Sequence, residues 1–277
     1  MTRVGVSYRP ELAGLFSGDS PAVGCAELIA DRYFGEQGFS RAWELRRLAG
    51  TPVLVHGLCG NAASVHGPDP AYLGRISRLA DAVGALAYSD HLAFTGVPGR
   101  ALGHLAPNLF DDELLAAASA NVTRMAELTG RRPCLENLAV KTMISGSRYT
   151  PEEFYLGLLE QNDQWDCLLD LTNIWINSRN RPVDPVKFID ALPADRIGYV
   201  HLAGGILVHG EWIDSHSRAV HGEVFELLDY LLARSSPLAV IIERDGNWPG
   251  AEAELRADLT RAGDLVAAHS TARAAAG

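Results

Sequence analysis

The chain has 277 residues, 47% hydrophobic and 21% charged, enough apolar content to bury a sizeable core and too much for intrinsic disorder. Lys and Arg number 24 against 34 Asp and Glu, and the net charge of −10 argues against a general affinity for nucleic acid or an anionic membrane. No apolar run reaches the roughly 18 residues of a spanning helix, the opening MTRVGVSY is neither a signal nor a transit peptide, and Cys25, Cys59, Cys134 and Cys167 lack C-x-x-C spacing. The expectation is a soluble, cytoplasmic, globular enzyme with no nucleic-acid or membrane partner.

In chain order, eight short runs are near-continuously apolar, the pattern of strands covered on both faces. They are 3–8 (RVGVSY), 25–30 (CAELIA), 52–56 (PVLVH), 85–91 (ALAYSDH), 133–138 (PCLENL), 167–173 (CLLDLTN), 197–203 (IGYVHLA) and 237–243 (PLAVIIE). Helical patterns lie between them at 42–48, 70–82, 112–128, 151–163, 185–191, 222–233 and 251–267. Thr150-Pro151-Glu152-Glu153 has a capping hydroxyl, an N1 proline and acids in the first turn. Eight strands alternating with helices match a single α/β domain, a (β/α)8 TIM barrel over residues 1–267, with 268–277 (AHSTARAAAG) as a disordered C-terminal tail. A doubly wound open sheet fits worse: it suits about six strands and usually has a glycine-rich first turn, whereas strand one leads into Ser7-Tyr8-Arg9-Pro10. There is no internal repeat or interdomain linker.

The chemistry sits at the C-terminal ends of these strands, the rim where active sites of a TIM barrel lie. Strand three ends at His56, four at Asp90-His91, five at Glu136-Asn137, six at Asp170 and Asn173, seven at His201 and eight at Glu243, with Asp245 just beyond. Strand two carries Glu27 and ends near Asp31. The loop after strand seven adds Asp214-Ser215-His216, an i, i+2 spacing that aims two donors the same way in extended backbone. A lone strand histidine is more often a satisfied core residue than a ligand. Four histidines and several carboxylates gathered at strand ends are different, because burying that many acids together needs cations. Imidazole and carboxylate without thiolate disfavour structural zinc and iron–sulfur clusters, and seven or more donors exceed the needs of one ion. Iron, manganese and zinc all suit mixed nitrogen and oxygen ligation, and the residue types do not choose among them.

At these residues the chain resembles the multinuclear non-haem iron-dependent oxidative enzymes, long described as a domain of unknown function. The match runs nearly end to end: G-x-x-x-R-P-E (5–11), ELIADRYF (27–34), VHG (55–57), SDHLA (89–93), LEN (135–137), LLDLTN (168–173), VHLAG (200–204), DSH (214–216) and IERD (242–245). The resemblance implies a xylose-isomerase-like barrel holding two or three irons of mixed Fe2+/Fe3+ valence, with O2 as co-substrate. It implies an oxidoreductase of RiPP biosynthesis acting on a side chain of a ribosomally synthesised precursor peptide, most simply cysteine, otherwise aspartate or asparagine. A partner protein that presents the peptide is also implied. Carried over by motif, His56, His91, Glu136, Asp170, Asn173, His201, Asp214, His216 and Glu243 become iron ligands. Asp90, Asn137 and Asp245, each next to a ligand in sequence, become supporting catalytic groups. Thr172, Arg244 and Ser217 depart from the family's usual asparagine, tryptophan and glycine, and Arg244 and Ser217 are expected at the pocket rim.

Other residues are open to two readings. Arg9 could steer a peptide carboxylate or close the rim, and His66, His104, His209 and His221 could approach the site or sit in solvated loops. Trp212 and Trp248 could wall the peptide or simply pack. Two rival functions remain. One is a divalent-metal hydrolase or isomerase on the same barrel, against which stand the acidic charge and the lack of a strand-end lysine. The other is a non-catalytic, metal-dependent peptide-binding protein.

Overall fold

Strands form where the sequence is apolar and short, and helices open at capping residues. The computed structural model describes residues 1–16, 23–34, 48 and 50–276. In chain order the elements are β1 (Arg3–Ser7), β2 (Cys25–Ile29), β3 (Val53–His56), α1 (Pro70–Val83), β4 (Tyr88–His91), β5 (Phe94–Val97), β6 (Arg100–Ala106), α2 (Asp112–Thr129), β7 (Pro133–Glu136), α3 (Pro151–Gln161) and β8 (Asp166–Asp170). They continue with α4 (Leu171–Asn180), α5 (Pro185–Ala191), β9 (Ile197–Ala203), β10 (Ile206–Val208), β11 (Glu211–Ile213), α6 (Gly222–Leu232), β12 (Ala239–Glu243) and α7 (Ala251–Ala276). Eight strands close a barrel in the order β1-β12-β9-β8-β7-β4-β3-β2, so the TIM-barrel expectation holds. The expected helix at 42–48 lies, except for Leu48, outside the described residues.

Contacts divide the chain into two compact units. The first comprises Met1–Glu27, Trp43–Pro52 and Leu169–Gly277. Within it β1 pairs in parallel with β2 and β12, and β12 with β9, in the registers Gly5↔Cys25, Gly5↔Ile241 and Ile241↔His201. Val6, Val200, Leu202, Val240 and Ile241 are buried on these strands, as continuously apolar runs require. The antiparallel β10–β11 hairpin turns at His209-Gly210, both at positive φ (51° and 86°), the geometry of a two-residue hairpin turn.

The second unit comprises Leu28–Ala42 and Val53–Leu168. Here β3, β4, β7 and the start of β8 pair in parallel, in the registers His56↔Ser89, His91↔Glu136 and Leu135↔Cys167. Asp69 Oδ1 accepts from Ala71 N at 2.9 Å to open α1, and Pro70 costs nothing at the first helical position. At α3 the expected capping hydroxyl is present and forms a capping box: Thr150 Oγ1 accepts from Glu153 N at 3.1 Å, and Glu153 Oε2 accepts from Thr150 N at 2.8 Å. β5 and β6 form an antiparallel hairpin between β4 and α2, where the apolar pattern predicts no strand.

Two expectations are corrected. The sixth strand stops at Asp170 rather than 173: the Asp170 carboxylate accepts from Asn173 N at 2.7 Å and caps α4, so residues 171–173 are helical. The stretch 268–276, expected as a disordered tail, continues α7. His269 Nε2 lies 2.6 Å from Asp229 Oδ1, and Arg273 Nη1 donates to Leu232 O at 2.7 Å and Ser235 O at 3.2 Å. Alanine-rich sequence with polar side chains bonded to α6 and its end favours helix over fraying.

Candidate metal centre

In the second unit, three strand ends bring together His56, His91 and Glu136. His56 closes β3, His91 closes β4 and Glu136 closes β7. Glu136 Oε2 lies 3.5 Å from His56 Nε2 and 3.2 Å from His91 Nε2, and the two imidazoles meet edge to face with centroids 4.7 Å apart. Each residue offers a ligand atom within 4.8 Å of the others. Strand parity decides what surrounds them. Ser89 and His91 project to one face of β4, Tyr88 and Asp90 to the other. It is accordingly Ser89 that reaches His56, Oγ to Nδ1 at 2.7 Å.

In the first unit, Asp170, His201 and Glu243 form a second set, from the ends of β8 and β12 and from within β9. His201 Nδ1 is 3.0 Å from Glu243 Oε2, and its Nε2 is 2.9 Å from Glu27 Oε1. Asp170 and Glu243 are both buried, an arrangement of like charges that a cation stabilises. Thr172 Oγ1 donates to Ala203 O at 3.0 Å and accepts from Ala203 N at 2.7 Å, tying the start of α4 to the end of β9. The departure at Thr172 therefore has a structural use.

The segment after β11 extends this set. His216 Nε2 lies 2.8 Å from Asp214 Oδ1, and its Nδ1 lies 3.7 Å from Glu243 Oε2 and 3.2 Å from Asp245 Oδ2. Burial opposes a charge on His216, but Glu243, Asp214 and Asp245 outweigh it and hold the imidazole well above its usual range. His216 sits at φ 48°, a left-handed conformation that costs a β-carbon-bearing residue energy and clusters at functional sites. Gly204 lets the segment approach: a Cβ there would lie 2.1 Å from Arg218 O. Ser217 N and Ser215 Oγ both donate to Gly204 O, at 3.3 and 3.2 Å.

Residues 3–267 match the profile of the RiPP precursor modification enzyme family MbnB/TglH/ChrH. The chain belongs to this family. A UPF0276 protein of Rhizorhabdus wittichii is 31% identical over 94% of this chain and 93% of its own length. One from Acaryochloris marina is 30% identical over 90% and 89%. Among solved structures, D-psicose 3-epimerase of Clostridium cellulolyticum superposes with a TM-score of 0.58 at 13% identity, covering 96% of this chain and 98% of that one. Endonuclease IV of Thermus thermophilus superposes with 0.56 at 17%, covering 95% and 99%. At these identities the two structures share the fold alone.

Against this family background the remaining expected residues separate. Asp245 belongs to the His216 network: Arg9 Nε donates to its Oδ1 at 2.8 Å and Arg9 Nη2 bonds the same oxygen. Burial opposes its charge, yet His216 and Arg9 hold the carboxyl below its usual range. Arg9 also donates to Ser7 Oγ and Tyr8 O, so its guanidinium is occupied with the barrel's own groups, not poised for a peptide carboxylate. Asp90 serves the loop after β3. Its Oδ1 accepts from Gly60 N (3.0 Å) and His91 N (2.9 Å), its Oδ2 from Tyr88 Oη (3.1 Å), and burial pushes its pKa up to about 6. A Cβ at Gly60 would sit 2.5 Å from Asp90 Cγ, so the close approach depends on glycine. Asn137, next to Glu136, and Asn173, in the first turn of α4, are buried.

Arg244, expected at the rim, is instead 1% exposed: Nε donates to Gly246 O, Nη2 to Asn247 O, and Nη1 pairs with Glu254 at 2.8 Å. It clamps the loop after β12 onto α7. His221 stacks on Trp175 at 4.7 Å and meets Trp212 edge-on, so His221 and Trp212 are packing residues. His209 is the exposed turn of the β10–β11 hairpin, and His104 is exposed on β6. His66 lies on a cavity of about 760 Å³ with Cys59, Tyr72 and Arg75. Ser89 and the buried Glu27 join the site through His56 and His201; strand parity two residues from His91 is the signal in the sequence that finds Ser89.

Proposed function

We propose that this protein is an iron-dependent oxidase that uses O2 to modify a side chain of a ribosomally synthesised precursor peptide, cysteine in the first instance and aspartate or asparagine otherwise. The observation that carries the reading is the pair of imidazole–carboxylate sets at strand ends, in a chain of a peptide-modifying family. The donors fit iron: imidazole and carboxylate, no thiolate, and more of them than one ion needs. His56, His91 and Glu136 hold one ion and Asp170, His201 and Glu243 another, with Asn173 an added donor to the second. Asp214 and His216 hold a third where three are present.

When bound, iron of mixed ferrous and ferric valence supplies O2 activation and a resting place for electrons and for the substrate thiolate. The chain's own residues do the rest. Ser89 fixes the His56 ring, and Arg9 with Asp245 fixes His216. Asp90 with Gly60 anchors the loop after β3. A partner protein presents the peptide, and the reaction takes place in the cytoplasm. Among the described residues no helix is long and apolar enough to cross a membrane.

The test is co-expression with any short open reading frame found beside the gene, followed by peptide mass spectrometry and O2-consumption measurements on the purified protein. A coloured, iron-containing protein that consumes O2 and changes the peptide mass supports the proposal. A colourless zinc protein, or a peptide mass unchanged with every neighbouring precursor, contradicts it.

A further inference from the structure

His201 is held between two carboxylates. Its Nε2 is 2.9 Å from Glu27 Oε1 and its Nδ1 3.0 Å from Glu243 Oε2, with His201 and Glu27 both 0% exposed. Tyr199, two residues before His201 and on the same face of β9, donates its hydroxyl to Glu27 Oε1 at 2.8 Å. Glu27 projects from the middle of β2 and reaches β9 past β1 and β12. Among the described residues, the Glu27 carboxylate is met by that hydroxyl and that imidazole.

A neutral imidazole has one N–H and one lone pair. With an ion on the Nδ1 lone pair the imidazole keeps a single N–H, on Nε2, and that N–H faces Glu27 Oε1 at 2.9 Å. Glu243 belongs to the donor set with Asp170, and Glu27 does not. We infer that Glu27, with Tyr199, is the positioning pair of the second metal set: it takes the N–H of His201 Nε2 and turns the Nδ1 lone pair toward the ion shared with Asp170 and Glu243. A buried anion behind the imidazole makes Nδ1 a stronger donor, as carboxylate partners of metal-bound histidines do. The inference rests on the metal-centre reading above and adds a residue that touches neither substrate nor metal.

The test uses the full chain, stripped with chelator and titrated anaerobically with Co2+, whose visible bands report each site. Three variants are compared with wild type: Glu27→Ala, Glu27→Gln and Tyr199→Phe. Expected is a loss of about 10- to 100-fold in affinity at one site for Glu27→Ala, with the His56–His91–Glu136 site unchanged. Glu27→Gln retains an amide oxygen that can accept from both donors, so it recovers most of that loss; Tyr199→Phe falls between. If Glu27→Ala does not fold, the Gln and Phe variants decide, since both preserve volume. Wild-type affinity in all folded variants overturns the inference while leaving the metal centre standing. Equal weakening of both sites, tracking a lowered Tm, overturns it in favour of a structural role. Absence of tight Co2+ binding in the wild type overturns it together with the proposed function.

Discussion

Ser89 Oγ lies 2.7 Å from His56 Nδ1, and the opposite ring nitrogen, Nε2, faces Glu136 Oε2 at 3.5 Å. A hydroxyl on one nitrogen fixes the ring so that the other presents itself to a metal. Ser89→Ala is therefore expected to weaken metal binding at the His56–His91–Glu136 set by about tenfold, leaving the His201 set unaffected. Isothermal titration with Co2+ on apo-protein checks this, and equal affinities for variant and wild type would contradict it.

Cys59 is the cysteine that reaches the 760 Å³ cavity; Cys25, Cys134 and Cys167 are buried. Burial, the nearby Asp31 and Asp90 carboxylates and a hydrogen bond to Asp31 push its pKa up to about 12. The thiolate is the reactive form, so at pH 8 alkylation by iodoacetamide is expected to be slow and to rise about tenfold per pH unit through pH 10 without a plateau. Asp31→Asn removes one carboxylate and is expected to speed alkylation at pH 8. A plateau below pH 9 in the wild type, read by mass spectrometry of the labelled peptide, is the contrary result.

Arg244 is buried and spends its guanidinium on two carbonyls and Glu254. Truncation to alanine removes charge-assisted hydrogen bonds and leaves a hole, so Arg244→Ala is expected to cost about 3 kcal/mol of stability. Lysine cannot reproduce the fork and should rescue less than half. Chemical denaturation reads both; a loss under about 1 kcal/mol for the alanine variant would show the clamp to be incidental.

Much of this was legible before the structure. Apolar runs bounded by helix-start chemistry locate the barrel strands; His56, His91, Glu136, Asp170 and Glu243 close β3, β4, β7, β8 and β12, while His201, expected at a strand end, lies two residues inside β9. What escaped was set by tertiary contacts. The end of β8 looked like strand to residue 173 because Leu171 and Thr172 are apolar or β-branched, yet Asp170 caps a helix. β6 and the β10–β11 hairpin are half-exposed or exposed and lack the apolar continuity of a barrel strand, and β5 buries only Thr95 and Gly96. Arg244 follows Glu243 and so reads as a rim residue, but just past the end of β12 its side chain turns to Gly246 O, Asn247 O and Glu254. Strand alternation sends Asp90 away from the ligand face and Ser89 toward it.

The end of α7 bears weight through Arg273 and His269. Deleting residues 268–277 removes these bonds to α6 and the residues after it, and is expected to lower stability by about 1–3 kcal/mol without changing metal content. Differential scanning calorimetry checks it; an unchanged Tm would mean that the helical end is decoration.

The central claim is that two donor sets hold iron, and iron counted per chain by elemental analysis tests it most directly. Wild-type protein reconstituted with ferrous iron is predicted to hold at least two ions, His91→Ala to lose one, and His201→Ala to lose a different one. One ion or none in the wild type, or both variants retaining the wild-type count, would contradict the account.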